Sequence, residues 1–216
     1  MFGIQDLPLF IISGLLLNVA PGPDSLLIMS RSARHGWRAG SAAALGIGAG
    51  TMVHVLAAAL GLSTLLAASS TAFTVVKMLG AAYLVYIGLS MLLRRERPSP
   101  PPAEGITVAD AGAALTWRRI WCQGFLTNVL NPKVAVFFLA FVPQFIAPEA
   151  PNKALAFVVL GCIFNFNAML WCHFLAVSSA FASRRVKTSR RLVRWLNRLI
   201  GAMFLGFGLR LALSSR

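Results

Sequence analysis

The chain has 216 residues, 57% of them hydrophobic and 12% charged, with a mean hydropathy of +0.74. A soluble domain of this size has too little interior to hide so much apolar surface, which excludes a soluble globular protein and points to the bilayer. Twenty Lys and Arg against six Asp and Glu give a formal charge of +14, which would suggest nucleic-acid binding in a soluble chain and must here be judged by where the basic residues fall.

About 20 apolar residues are needed to cross roughly 30 Å of hydrocarbon. Six stretches qualify: Leu7 to Ser30, Gly40 to Ala67, Phe73 to Leu93, Ile120 to Ile146, Ala154 to Phe181 and Trp195 to Leu213. They predict an all-α membrane protein of six spans in a single domain. The first span holds "NVAPGPDSLL", Asn18 to Leu27, with two prolines, a glycine and the only acid inside any span. Proline lacks an amide hydrogen and restricts the residue before it, so Pro21 and Pro23 push Ala20 and Gly22 out of helical geometry. Gly22 lets the break be sharp. Asp24 then either caps the half-helix that follows or serves a cavity at the break.

Span two carries "GIGAG", Gly46 to Gly50. It superficially resembles a phosphate-binding loop, but it has no preceding strand and reads as a close helix-packing face. His54, in the same span, either bonds a neighbouring backbone or lines a cavity. In span three, Tyr83 and Tyr86 share a helix face, and Lys77 is placed to snorkel at the outer end. The connector Arg94 to Arg119 contains "RRERPSPPPAEG", whose prolines make it a polar loop. Span four has a second break, where Pro132 displaces Asn131, and Lys133 follows. Span five offers Asn165 and Asn167 to a cavity or to helix contacts.

Cys122, Cys162 and Cys172 are odd in number and all lie in apolar segments, so no disulfide framework is expected. Cys172 and His173 are neighbours without the further ligands a metal would need, and no metal or other cofactor is expected. The N-terminus has no basic region or cleavage pattern ahead of Leu7, so the first span is expected to be retained.

Basic residues sit in every second connector. Arg31, Arg34 and Arg38 follow span one; Arg94, Arg95, Arg97, Arg118 and Arg119 follow span three; and Arg184 to Arg198 follow span five. The other connectors hold only Lys153. By the positive-inside rule the basic connectors are cytoplasmic and both termini lie outside. The charge is then a topology anchor at an anionic lipid surface, not a nucleic-acid interface.

Shifting the chain by 110 residues aligns "GLLLNVAPGPD" from Gly14 with "GFLTNVLNPKV" from Gly124, matching Asn18 to Asn128. The matched segments are spans one and four. Three-span repeats joined directly must run in opposite senses, so the sequence divides into two inverted halves, about 1–93 and 120–213, with a cytoplasmic loop at about 94–119. Broken backbone at membrane depth is tolerated where it lines a cavity, so two matching breaks point to a central site. Asp24 and Lys133 would each cost about 2.5 to 3.5 kcal/mol at the centre of a span, so both are expected to face the interior.

The elements "NVAPGPD", "GWRAGSAAALGIGAG", "VKMLGAAYLVYIGLSML" and "GFLTNVLNPKVAVFFLAFVPQF" together resemble the LysE/RhtB family of amino-acid exporters, in order and over nearly the whole chain. The resemblance implies a six-helix protein of the bacterial inner membrane that moves amino acids or related metabolites outward, driven by the proton gradient. Its motif positions fall here on Pro21 to Asp24, on Gly36, Gly40, Gly46, Gly80, Tyr83 and Gly88, and on Gly124, Asn128, Asn131, Pro132, Lys133, Pro143, Gln144 and Phe145.

For a zwitterionic cargo, Lys133 and the free amides after Pro132 would hold the carboxylate. Asp24 and carbonyls freed near Pro21 would hold the ammonium, with Asn18, Asn128 and Asn131 orienting it. His54, Tyr83, Asn165 and Gln144 are the further candidates for cavity lining. Neutralisation of Asp24 on the empty carrier would couple inward proton movement to export, making protons the coupling partner. One acid at depth slightly favours neutral amino acids over dibasic ones. An intramembrane enzyme would need a nucleophile with a base, and Ser25 and His54 have no third partner, so no catalysis is expected. A uniporter or channel-like efflux protein is the alternative that sequence leaves open. Glycine-rich faces permit a homodimer.

Overall fold

A computed structural model of the chain describes residues 2–62, 70–93, 116–147, 149–182 and 190–213. These residues form helices. The first predicted span is α1 (Leu7–Val19) and α2 (Pro23–His35). The next element, α3 (Trp37–Ala57), runs on through a π-helical turn at Ala58–Leu62, and α4 is Ser70–Leu93. The fourth predicted span is α5 (Trp117–Val129) with α6 (Pro132–Val136), which continues as a π turn, Phe137–Phe141, and a 3₁₀ turn, Val142–Phe145. The last two are α7 (Lys153–Ala182) and α8 (Arg190–Leu213).

Trp37–Gly61 and Lys153–Phe181, of 25 and 29 residues, are each long and apolar enough to cross a bilayer unaided. The pairs α1 with α2 and α5 with α6 qualify only when joined, and they bend by 53° and 48° at their breaks. Both breaks fall where the prolines set them. Ala20 (φ −57°, ψ 122°) and Gly22 (φ −156°, ψ −177°) leave helical geometry before Pro23, and Asn131 (φ −79°, ψ 106°) does so before Pro132. Gly22 is extended, a conformation open to any residue, so its need for glycine lies elsewhere: a Cβ there would sit 3.2 Å from Lys133 Nζ.

The two broken spans run antiparallel. At one end the chain start pairs with the end of the fourth predicted span, where Gln5 N donates to Phe145 O (2.9 Å) and Ala147 N to Gly3 O (2.8 Å). At the other, Lys133 in α6 meets the carbonyls that end α1. α2 and α5 are likewise antiparallel, with Asp24 beside Asn128 and Arg31 beside Gln123. α3 and α7 also oppose, since Gly40 faces Ala176 and Gly161 faces Val55.

This arrangement puts Arg34 and Arg38 at the same end as Arg118 and Arg119, and α7 reaches that end at Ala182. The connector 94–115 and Arg184, Arg185 and Lys187 lie outside the described residues, as do the side chains of Lys77, Arg190, Arg191 and Arg194. Arg31 departs from the loop reading. α2 runs on to His35 and only Gly36 (φ +83°) joins it to α3, so Arg31 is buried within the bundle, where Nη2 donates to Gln123 Oε1 at 2.8 Å.

The "GIGAG" face is a packing surface. A Cβ on Gly46 would lie 2.8 Å from Phe125 N, and one on Gly124 3.0 Å from the carbonyl carbon of Ala43, so the backbones of α3 and α5 touch. Most of the buried phenylalanines pack in one cluster around α6, with Phe10, Phe137, Phe138, Phe141, Phe145 and Phe164 in mutual ring contact.

Candidate functional site

The prolines end α1 and α5 early and leave polar groups at both breaks, and the structure satisfies several of them between the two broken segments. Asp24, in the first turn of α2, accepts through Oδ2 from Asn128 Nδ2 (2.8 Å) and Asn131 Nδ2 (3.2 Å), the residues flanking the second break. Lys133, in the first turn of α6, donates through Nζ to the carbonyls of Leu17 and Ala20 (3.1 Å each), flanking the first break. Each charged residue thus serves the break of the other half. Asp24 makes no side-chain cap to its own helix, whose N-cap is Gly22.

The second break is capped from within. Asn131 Oδ1 accepts from Lys133 N (3.0 Å) and Asn131 O from Val134 N (3.1 Å), so these amides, expected to be free for a carboxylate, are already engaged. The carbonyls expected to be free for an ammonium are likewise held by Lys133. Among the described residues that border the cavity between the breaks, Asp24 Oδ1 and Asn18 Nδ2 are buried without a hydrogen-bond partner. Such groups are costly to leave unmade, at about 1 to 3 kcal/mol each. Both residues border the same cavity of about 30 Å³, which α1, α2, α3, α5, α6 and α7 enclose. It has room for a water but is far below the several hundred Å³ of a ligand pocket, so the site is closed.

Thr51, Ser25 and Cys172 also border this cavity. The single hydroxyl proton of Thr51 is shared between Ile47 O (3.1 Å) and Asn128 Oδ1 (3.3 Å), an arrangement that leaves Asn128 Nδ2 pointing to Asp24. The sequence signal for Thr51 was a hydroxyl following "GIGAG". The four further candidates stand outside the lining. His54 Nε2 bonds the Asn128 carbonyl (3.1 Å) and its ring stacks on Phe138, which places it behind the cavity wall. Gln144 Nε2 donates to Ala140 O within its own turn (3.2 Å). Tyr83 packs beside Tyr86 on α4. Asn165 turns toward Gly48 of α3, with Oδ1 buried and unpartnered.

Asn131 does double duty, and its truncation is expected to show it. Asn131→Ala loses the cap on Lys133 N and one bond to Asp24, and should lower the thermal unfolding midpoint in detergent by the equivalent of about 1 kcal/mol or more.

Unbroken apolar helices, two broken ones set antiparallel and a polar centre between their breaks define a multi-pass membrane protein of transporter type. The family model of the LysE type translocator matches residues 15–215, and the chain belongs to that family. It is 30% identical over 214 residues to a leucine efflux protein of Enterobacter sp. (strain 638), covering 98% of this chain and 97% of that one. The leucine efflux protein of Salmonella typhimurium (strain LT2) is 29% identical over 211 residues, covering 98% and 96%. An uncharacterized membrane protein of Pseudomonas aeruginosa is 32% identical over 216 residues, covering 97% and 96%. No solved structure matches the chain.

Proposed function

We propose that this protein exports amino acids from the cytoplasm in exchange for protons, with neutral amino acids favoured. The observation that carries the reading is Asp24, an acid at the broken centre of a span, with one oxygen held by two asparagines and the other buried and unpartnered at a cavity. Two relatives are leucine efflux proteins, which supports the cargo class and the direction. Antiparallel broken spans and basic residues gathered at one end support six spans in two inverted halves, in the cytoplasmic membrane, with both termini outside.

In this reading cargo entry swaps one ammonium for another. The cargo ammonium takes the Leu17 and Ala20 carbonyls together with Asp24 Oδ1. Lys133 gives up those carbonyls and turns to the cargo carboxylate, which also accepts from Asn18 Nδ2. Once the cargo has left outward, a proton neutralises Asp24 and lets the empty carrier return. Lys133→Met keeps length and removes the charge. It should weaken cargo binding about tenfold to a hundredfold, read as a raised KM for efflux, since hydrogen bonds to charged groups contribute about 1.5 to 3 kcal/mol.

The test of function is efflux from proteoliposomes loaded with mixed labelled amino acids, with and without an inward proton gradient. Gradient-stimulated loss of neutral amino acids is expected. Loss at the same rate without the gradient would make the protein a uniporter, and retention of every amino acid by inserted, folded protein would end the amino-acid reading.

A further inference from the structure

We infer that the cargo side chain has its own subsite, an apolar cavity on the far side of Leu17 that takes uncharged side chains and meets their polar groups with Ser13. The inference rests on the reading that the polar cavity holds the cargo ammonium and carboxylate.

A second cavity, of about 10 Å³, lies among α1, α4, α6 and α8. Leu17 borders both cavities. Phe137 borders the second, and its ring centroid lies 4.6 Å from that of Phe164, which borders the first. A single layer of side chains therefore separates the two. In an α-amino acid the ammonium, carboxylate and side chain leave one carbon, so a cargo held between Asp24, Asn18 and Lys133 must direct its side chain at a wall of the polar cavity. Leu17 is a wall with space behind it.

The lining chemistry sets the class of side chain. Leu84, Phe204 and Met203 supply apolar surface from α4 and α8, and among the described residues no charged one borders this cavity. Its one polar residue is Ser13, which is 5% exposed, with Oγ buried and no hydrogen-bond partner. A helical serine ordinarily bonds back to a carbonyl one turn earlier, so an unmade bond here leaves a donor and acceptor for something that enters. The cavity must widen to admit a side chain. Met203 is unbranched and adaptable, and α4 packs chiefly on α8 while this pair meets the other helices largely through the π turn Phe137–Phe141, which makes that boundary one able to give.

The test is counterflow of labelled leucine in proteoliposomes containing the full-length protein, with unlabelled amino acids as competitors. For the wild type, competition should weaken from leucine through alanine to glycine, and lysine and glutamate should compete at least about tenfold less well than leucine. Ser13→Ala should weaken competition by threonine and homoserine about fivefold while leaving leucine unchanged, the worth of one hydrogen bond. Met203→Ala, which enlarges the subsite without touching Ser13, should improve competition by phenylalanine. Both variants keeping the wild-type ranking, or lysine competing as well as leucine, would overturn the subsite and leave amino-acid export standing. A wild type in which no amino acid exchanges would overturn both.

Discussion

Asp24→Asn is expected to reduce gradient-driven efflux about tenfold to a hundredfold while leaving cargo exchange across the membrane measurable. Asparagine keeps the shape of the side chain and an oxygen that can accept from Asn128 Nδ2, so the bonds joining the two breaks are largely preserved. What is removed is the charge, and with it the one carboxylate within the predicted spans. Hydrogen bonds to a charged group contribute about 1.5 to 3 kcal/mol, which sets the size of the loss in affinity for a cargo ammonium. Coupling is a separate loss and should be complete: residual efflux should no longer respond to an imposed proton gradient. A variant whose efflux still responds fully would remove Asp24 from the coupling mechanism.

Gly124→Val is expected to prevent stable folding or to destabilise the protein by about 3 kcal/mol or more. The mechanism is steric and local. A Cβ at Gly124 would press on the backbone of Ala43 in α3, and Gly46 faces the backbone of α5 from the other side, so neither helix has a flexible side chain that could yield. The crossing also sets the register between Thr51 and Asn128, and hence the direction of the Asn128 amide. Gly61→Ala is the control, because among the described residues nothing lies within 4 Å of a Cβ there. Gly124→Val should give little monodisperse protein and a lowered unfolding midpoint in detergent, whereas Gly61→Ala should behave as the wild type.

The breaks were legible because proline acts locally. Pro21, Pro23 and Pro132 each dictate the geometry of the preceding residue, and the structure breaks at those points. That these polar groups meet could be expected from the sequence, since polar groups in a bilayer must find one another: Asp24, Lys133, Asn18 and Asn128 border one cavity, and Asn131 bonds Asp24. Their partners did not follow. That Lys133 reaches back to α1 and Asn131 caps α6 depends on how two antiparallel spans are set against each other, which no local rule supplies. Tyr83, Gln144 and Asn165 lie outside that lining, with Asn165 at the helix contact that the sequence offered as its alternative. Their helices are apolar nearly all round, so the pattern carries no phase to say which face looks inward. Thr51 was overlooked because its importance comes from a neighbour on α5, 77 residues away.

The central claim, that exported cargo sits in the cavity between the two breaks, can be read most directly from the chain's own cysteines. Cys172 is buried and borders that cavity, while Cys162 lies on an exposed face of the same helix. Inserted protein treated with a small membrane-permeant methanethiosulfonate, with and without leucine, would be digested and labelling at each site quantified by mass spectrometry. The account predicts that leucine changes labelling at Cys172 and leaves Cys162 unaffected. Labelling of Cys172 that ignores leucine, in protein shown to transport it, would contradict the account and place the cargo elsewhere.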